Sequence, residues 1–99
     1  MDIAQIRREF ISAGWVPMVL RENATELAEI AYRHEEKNCY LFPTDAISEG
    51  SKFDNQYPEI RNEPPQFALV QRDNNRFIVI QRSADPALLL VTAKLRGML

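Results

Sequence analysis

The stretch that decides the fold is residues 67–82, which read FALVQRDNNRFIVIQR. Two apolar runs, rich in β-branched and aromatic residues, flank a polar connection, and this pattern is typical of a β-hairpin. Asn adopts a positive φ more readily than most residues, so Asn74 and Asn75 predict a two-residue type I′ turn. The expected register pairs Arg72 with Phe77, Val70 with Val79 and Leu69 with Ile80.

Both faces of this predicted hairpin are apolar. One face carries Leu69, Ile78 and Ile80, and the other carries Ala68, Val70, Phe77 and Val79. A strand pair of this kind needs cover on both faces, which a position inside a sheet or a partner would supply. The same register puts Arg72 and Arg82 on opposite faces, because successive residues of a strand alternate sides.

A helix is predicted close to the N-terminus. Four apolar residues recur there at helical spacing, namely Ile3, Ile6, Phe10 and Ala13. Such spacing puts them on one side of a helix, where they can pack against the rest of the protein. Gly14 follows and suits the left-handed position that ends a helix, since it has no Cβ to clash with the backbone.

A second helix is predicted at the C-terminal end. Asp85 suits its N-cap, and Pro86 suits its first position, where the missing N–H costs nothing. The expected inward stripe consists of Leu88, Val91, Leu95, Met98 and Leu99. Leu89 and Leu90 fall outside that stripe, at about 100° and 200° from Leu88 around the helix. The alternative for residues 88–92 is a further strand.

The middle of the chain predicts two more strands and one more helix. Residues 15–21 form a strand, which Pro17 confines to a sheet edge because proline cannot donate a ladder hydrogen bond. Asn23 suits the N-cap of a helix that runs to about Lys37, with an inner side of Leu27, Ile30, Ala31 and His34. Residues 39–42 form the next strand, which ends at a proline.

Residues 48–66 break the pattern, with a glycine and three prolines. We predict a long surface loop pinned by Phe53 and Tyr57, the alternative being a short helical turn near Pro58. The element order is then α-β-α-β-loop-β-β-α. The prediction is a single α+β domain over residues 1–99, with three helices packed on a small, mainly antiparallel sheet.

Composition excludes several classes of protein. The chain has 99 residues, 45% of them hydrophobic and 26% charged, which are ordinary values for one globular domain. Its apolar runs are too short to cross a bilayer, its N-terminus lacks the pattern of a secretory signal, and Cys39 is its one cysteine. These features predict a cytoplasmic protein without disulfides, membrane contact or cysteine-rich metal site.

The candidates for catalysis are His34, Cys39 and Asp45. A thiol nucleophile needs a nearby imidazole and a group that orients it, and Asp45 is the orienting candidate. No glycine-rich phosphate loop and no metal-binding motif occurs in the sequence. We therefore expect no cofactor, no metal and no catalysis, and a small enzyme using His34 and Asp45 is the third alternative.

The leading functional hypothesis is binding of another macromolecule. Residues 23–64 have a formal charge of −5 and residues 65–99 one of +3, so the small net charge of −2 conceals a strong asymmetry. An acidic segment suits a basic partner surface, as expected of an adaptor, a regulatory subunit or a small inhibitor of the kind phages and mobile elements encode. The predicted partner contacts are Phe53, Asp54, Tyr57 and Glu59, and the predicted homodimer contacts are Leu89 and Leu90.

The second hypothesis is nucleic-acid binding by the C-terminal hairpin. Arg72, Arg76 and Arg82 alternate there with aromatic and amide side chains. Basic and aromatic strand residues together are typical of surfaces that bind single strands. The predicted register disperses these arginines over two faces, and the acidic net charge weakens attraction to phosphate.

Overall fold

The computed structural model describes residues 2–18 and 30–99, and these contain an antiparallel sheet flanked by helices. Its strands, in spatial as well as chain order, are β1 Val16–Pro17, β2 Tyr32–His34, β3 Cys39–Pro43, β4 Phe67–Asp73 and β5 Arg76–Ser83. The helices are α1 Ile3–Ser12, α2 Lys52–Gln56 and α3 Pro86–Leu95, with 3₁₀ turns at Thr44–Ala46 and Pro58–Asn62. The predicted α+β class is confirmed, and every strand pairing described is antiparallel.

Helix α1 forms where it was predicted. The Asp2 carboxylate accepts a hydrogen bond from the Gln5 backbone N–H, and the Gln5 side chain accepts one from the Asp2 N–H, which completes a capping box. Gly14 follows the helix with a φ of +93°. Ile6 and Phe10 are buried. Strand β1 then lies at the sheet edge, as Pro17 requires.

The helix predicted to run to Lys37 is wrong over its described part. Residues 32–34 form β2 instead, and residues 35–38 form a turn whose last residue, Asn38, has a φ of +53°. Tyr32 and His34 are buried while Arg33 is exposed, the two-residue period of a strand. Pairing with β1 and β3 decides between two patterns that this short segment fits equally well. The predicted N-cap Asn23 lies outside the described residues.

The hairpin of β4 and β5 has the expected position but not the expected register throughout. Arg72 pairs with Phe77 and Val70 with Val79, as predicted. A β-bulge then follows, so Leu69 pairs with Gln81 and not with Ile80. Of the two turn residues, both of which the structure describes, Asn74 alone has a positive φ, so the turn is not type I′.

The bulge changes which side chains share a face. Beyond it Arg82 pairs with Ala68, and Ala68 lies on the same side of β4 as Arg72. Arg72 and Arg82 therefore share one face of the sheet, although the predicted register separated them. One inserted residue in a strand is enough to reverse the orientation of everything after it.

Apolar side chains cover both faces of the sheet. On the helical face, α1 and α3 pack over a cluster that includes Phe10, Leu41 and Leu69. On the opposite face, which we call the outer face, the cluster is Ile47, Phe53, Ile60, Ala68 and Val70. The segment expected to be a surface loop thus contains α2 and the turn at Pro58–Asn62, the alternative weighed from the sequence. This segment covers the second apolar face of the hairpin.

Helix α3 begins as predicted but faces a different way. The Asp85 carboxylate accepts a hydrogen bond from the Ala87 N–H at 3.0 Å, and Pro86 occupies the first turn. Leu89, Leu90 and Ala93 are the buried residues, whereas the expected inward residues Leu88, Val91 and Leu95 are exposed. The helix is apolar on several sides, so its periodicity alone does not fix the side that packs. Ala93 is fully buried and belongs to the cluster on the helical face.

Candidate functional site

An apolar cleft of about 270 Å³ opens on the outer face of the sheet. Its walls come from the end of β1, from β3, from β5 and from the segment that carries α2. The lining residues are Met18, Tyr40, Phe42, Ala46, Ile47, Ser51, Phe53 and Phe77. We call this the apolar cleft. The apolar cleft is a concave apolar surface that lies beside the cluster on the outer face and is open to solvent.

Alternation along the strands explains why aromatic rings line the apolar cleft. In β3, Cys39 and Leu41 face the helices, so Tyr40 and Phe42 face outward. The ring centroid of Phe53 lies 5.2 Å from that of Phe42 and 5.9 Å from that of Phe77, in edge-to-face geometry. Aromatic pairs in this arrangement attract each other beyond the effect of area burial. The wall of the cleft is therefore formed before any ligand binds.

Two residues hold α2 against the edge strand β5. The Gln56 carboxamide accepts a hydrogen bond from the Phe77 N–H at 2.8 Å and donates one to the Phe77 carbonyl at 3.2 Å. The Tyr57 hydroxyl donates to the same carbonyl at 3.1 Å. The Gln56 carboxamide thus makes the two hydrogen bonds that the backbone of a neighbouring strand would make. These bonds hold α2 in place, and α2 carries Phe53 into the apolar cleft.

A polar cleft of about 300 Å³ adjoins the apolar cleft, and Tyr40 lines both. Its lining residues are Arg33, His34, Glu35, Asn38, Tyr40 and Arg72. The Arg33 guanidinium pairs with the exposed Glu35 carboxylate at 3.3 Å. Within the described ranges no carboxylate is seen paired with Arg72, whose backbone N–H donates to the Asn38 carbonyl at 2.8 Å. The polar cleft therefore offers a cation next to an aromatic wall.

The residues predicted to contact a partner lie in the segment that covers the outer face. Phe53 and Asp54 are buried, Tyr57 is half-buried and Glu59 is exposed. The Asp54 carboxylate accepts a hydrogen bond from the Gly50 N–H at 2.9 Å, and its own backbone N–H donates to the Ser51 hydroxyl. Phe53 and Asp54 therefore fix this segment in place, and Glu59 alone of the four is fully presented to solvent.

The residues predicted to mediate self-association are not at the surface. Leu89 and Leu90 are 0% exposed and belong to the cluster on the helical face. They pack inside the protein and present no surface to a second copy. The apolar residues that α3 exposes are the ones assigned from the sequence to its inner side.

The three arginines of the nucleic-acid hypothesis are divided between two faces. Arg72 and Arg82 lie on the outer face, while Arg76, one residue before the outward Phe77, points to the other. The Arg82 guanidinium contacts the Glu63 carboxylate at 2.5 Å, and both side chains are about one-third exposed. That ion pair offsets the charge of Arg82, so no continuous basic patch forms on the hairpin.

The residues considered for catalysis are held in structural contacts. His34 and Cys39 are direct cross-strand partners. Nδ1 of His34 accepts a hydrogen bond from the Lys37 N–H at 3.3 Å, and the Cys39 thiol donates to the Lys37 carbonyl at 3.2 Å. Burial raises the pKa of the Cys39 thiol, which keeps it in the unreactive protonated form. Asp45 lies in the 3₁₀ turn beyond the opposite end of β3, and the strand from Cys39 to Pro43 by itself spans about 13 Å.

Two further properties concern the described part of the chain as a whole. Residues 2–18 and 30–99 contain no group of three or more His, Cys, Asp or Glu side chains arranged to hold a metal ion. No helix in these ranges has the length and apolar character needed to cross a membrane.

Known proteins provide no guide to the function. The chain matches no known family model, no curated protein and no solved structure. The function must therefore be argued from the site itself. The cleft residues Tyr40, Phe42 and Phe77 were not identified as a site from the sequence, although the alternation of β3 indicated that Tyr40 and Phe42 share a side.

Proposed function

We propose that the protein acts by binding another protein through the outer face of the sheet, without catalysis. The observation that carries this proposal is that Tyr40 lines both the apolar cleft and the polar cleft, so an apolar and a charged surface share one wall. An apolar side chain of the partner occupies the apolar cleft, and a carboxylate of the partner meets Arg72. Interfaces commonly obtain most of their binding energy from such a buried anchor surrounded by polar contacts.

The size and lining of the apolar cleft support a side chain as its occupant. Small-molecule sites usually enclose about 300–1,000 Å³ and contain several convergent polar groups. The apolar cleft, at about 270 Å³, lies below that range, and Ser51 is the one hydroxyl besides Tyr40 among its described lining residues. An aliphatic or aromatic side chain fits this lining better than a cofactor does.

The charges around the polar cleft support an acidic residue beside that anchor. Arg72 is exposed and lies on the same face as the half-buried Tyr40 and Phe77 rings. A carboxylate of the partner would form a charge-assisted hydrogen bond with it. Complementary charge of this kind contributes mainly to specificity and to the association rate.

The test compares variants of the cleft with matched surface variants. Ala46→Leu fills the apolar cleft, and Arg72→Glu reverses the charge beside it. Ala4→Leu and Arg8→Glu make the same changes at exposed positions of α1, away from the outer face. The tagged proteins are used to capture partners from lysate of the source cells, treated or not with nuclease, and captured proteins are purified for direct titration.

The proposal predicts that wild type and both α1 variants capture one or more of the same proteins after nuclease treatment. Neither cleft variant should capture those proteins. The purified partner should then bind at least about tenfold more weakly to Ala46→Leu, a loss of about 1.4 kcal/mol. If every captured protein binds all five forms equally, the outer face is not the binding surface and the proposal fails.

A second candidate function is binding of single-stranded nucleic acid, favoured by the β-bulge that brings Arg72 and Arg82 to one face. The ring of Phe77, the cross-strand partner of Arg72, and the ring of Tyr40 lie on the same face, where bases could stack on them. The ion pair of Arg82 with Glu63 weakens this candidate. Titration with a fluorescent oligothymidylate at low salt distinguishes the two candidate functions. Binding that Arg72→Glu abolishes would favour nucleic acid as the partner. Absence of binding would agree with a protein partner.

A further inference from the structure

The outward side of α3 carries a row of exposed apolar side chains. Leu88 is 46% exposed, Val91 48% and Leu95 83%. Their spacing of three and four residues brings them to one side of the helix, opposite the buried Leu89, Leu90 and Ala93. We call these three residues the α3 row. The same spacing defines the contact seam of a two-stranded coiled coil.

Charged residues flank the α3 row in a self-complementary order. At about 100° per residue, Asp85 at the start of the helix and Arg96 at its end fall on the same flank of the row. On the opposite flank, Lys94 is engaged with Glu9 of α1, with an N–O distance of 3.3 Å. The first flank is therefore acidic at one end and basic at the other.

We propose that the α3 row is a contact surface for a second copy of this chain, packed antiparallel about a two-fold axis. In that arrangement Leu88 of each copy meets Leu95 of the other, and Val91 lies next to the axis. A two-fold axis that reverses the helix direction keeps each flank against the same flank of the other copy. Asp85 of each copy then meets Arg96 of the other, so both ends are complementary.

The alternative parallel arrangement lacks this complementarity. It brings equal ends of the two helices together and sets the dipole of each helix against that of its neighbour. Arg96 and Lys94 of both copies would then crowd at one end of the interface. Charge therefore selects the antiparallel arrangement.

The size of the α3 row sets the strength of the association. From Leu88 to Leu95 the helix rises about 10 Å, so the row is short. Stable interfaces bury about 800 Å² on each partner, and three side chains supply only part of that area. The dimer is accordingly weak and forms in a concentration-dependent way. The α3 row and the outer face lie on different faces of the sheet, so this inference does not depend on the proposed function.

The first test is the oligomeric state, measured by sedimentation equilibrium from about 10 µM to about 1 mM, the range in which weak association becomes visible. The average mass of the wild type should rise from monomer towards dimer. Leu95→Gln should raise the dissociation constant about tenfold or more. Val16→Gln is the matched control, because Val16 is 47% exposed but lies in β1 at the opposite edge of the sheet.

Circular dichroism shows whether each variant stays folded, which is expected because these side chains are exposed. Arg96→Glu sets like charges against Asp85, so it should weaken the dimer at low salt and reverse the salt dependence. A wild type that stays monomeric over the whole range overturns the inference. So does a dimer that Leu95→Gln leaves intact, since that dimer would use another surface.

The second test is the orientation of the two helices. Leu88→Cys and Leu95→Cys are prepared separately, mixed and oxidised, while the buried Cys39 stays unreactive. The antiparallel arrangement predicts a disulfide between the two different variants and little within either variant alone. Equal cross-linking of each variant with itself would contradict the antiparallel arrangement.

Discussion

Replacing Gln56 by Ala tests how the outer face is assembled. The substitution removes both hydrogen bonds between the Gln56 carboxamide and the Phe77 backbone, at 2.8 and 3.2 Å. A hydrogen bond within a protein contributes about 1 kcal/mol net, so two contribute about 2 kcal/mol. Ala is a better helix former than Gln by a few tenths of a kcal/mol, which offsets a small part of the loss. We expect the free energy of unfolding to fall by about 1.5 kcal/mol.

The assay is equilibrium unfolding in urea at 25 °C, with the slope of the transition checked for constancy between variants. Asn55→Ala is the matched control, because Asn55 is the preceding residue of α2 and its exposed side chain makes one long hydrogen bond, 3.3 Å to the Gly50 carbonyl. It should lose less than about 0.5 kcal/mol. Equal losses for Gln56→Ala and Asn55→Ala would refute the argument that Gln56 pairs with the edge strand.

A double-mutant cycle makes this prediction sharper. Tyr57→Phe removes the hydroxyl that donates to the same Phe77 carbonyl at 3.1 Å. Because Gln56 and Tyr57 share one acceptor, either donor partly compensates for loss of the other. The double variant should therefore lose more than the sum of the two single losses, by about 0.5 kcal/mol or more. Strict additivity would mean that the two contacts act independently.

Three other substitutions or measurements test the core. Gly14→Ala should lower the free energy of unfolding in urea by about 1–2 kcal/mol, because the φ of Gly14 is +93° and the new Cβ would lie 3.2 Å from Nε2 of His34. Gly97→Ala is the control and should lose less, because the space around Gly97 is open. Leu90→Ala should lose about 2–5 kcal/mol by leaving a cavity, and a loss below 1 kcal/mol would contradict its burial. Since burial raises the pKa of the Cys39 thiol above its unfolded value, the contribution of this thiol to stability should be constant below about pH 8.5 and fall above it. A contribution that rose with alkaline pH would contradict that direction.

The charge asymmetry of the sequence is partly neutralised by the tertiary structure. The acidic middle segment and the basic C-terminal segment meet at Glu63 and Arg82, while Lys94 pairs with Glu9 of α1. Exposed pairs of this kind each contribute about 0–1 kcal/mol to stability. Their effect here is to remove Arg82 from the set of free cations on the outer face, which leaves Arg72 beside the apolar cleft.

The surplus of apolar residues in the hairpin has an intramolecular explanation. The sequence indicated two apolar faces and therefore a need for cover. Residues 44–62 provide that cover on the outer face through Ile47, Phe53 and Ile60. Among the described residues, apolar surface stays open in the apolar cleft, along the α3 row, and at Ile3, Ile11, Val16 and Ile78.

Local signals determined a large part of the fold. The capping box of α1, the positive φ of Gly14, the edge position required by Pro17 and the Asp85–Pro86 start of α3 all depend on a few neighbouring residues. The β4–β5 hairpin is equally local, because its turn and its apolar runs are adjacent in the chain. Such features follow from backbone sterics and short-range hydrogen bonds, and the sequence contains both partners of each contact within a few positions.

Tertiary contacts decided what the local patterns left open. Residues 32–34 fit a helix or a strand, and pairing with β1 and β3 makes them a strand. Helix α3 is apolar on several sides, and packing against the sheet selects Leu89, Leu90 and Ala93 as the buried residues. A single bulge moves Arg82 to the face of Arg72. The outer face and the α3 row both depend on these tertiary contacts. A surface of this kind forms only when segments distant in the chain pack together, and local sequence patterns do not determine that packing.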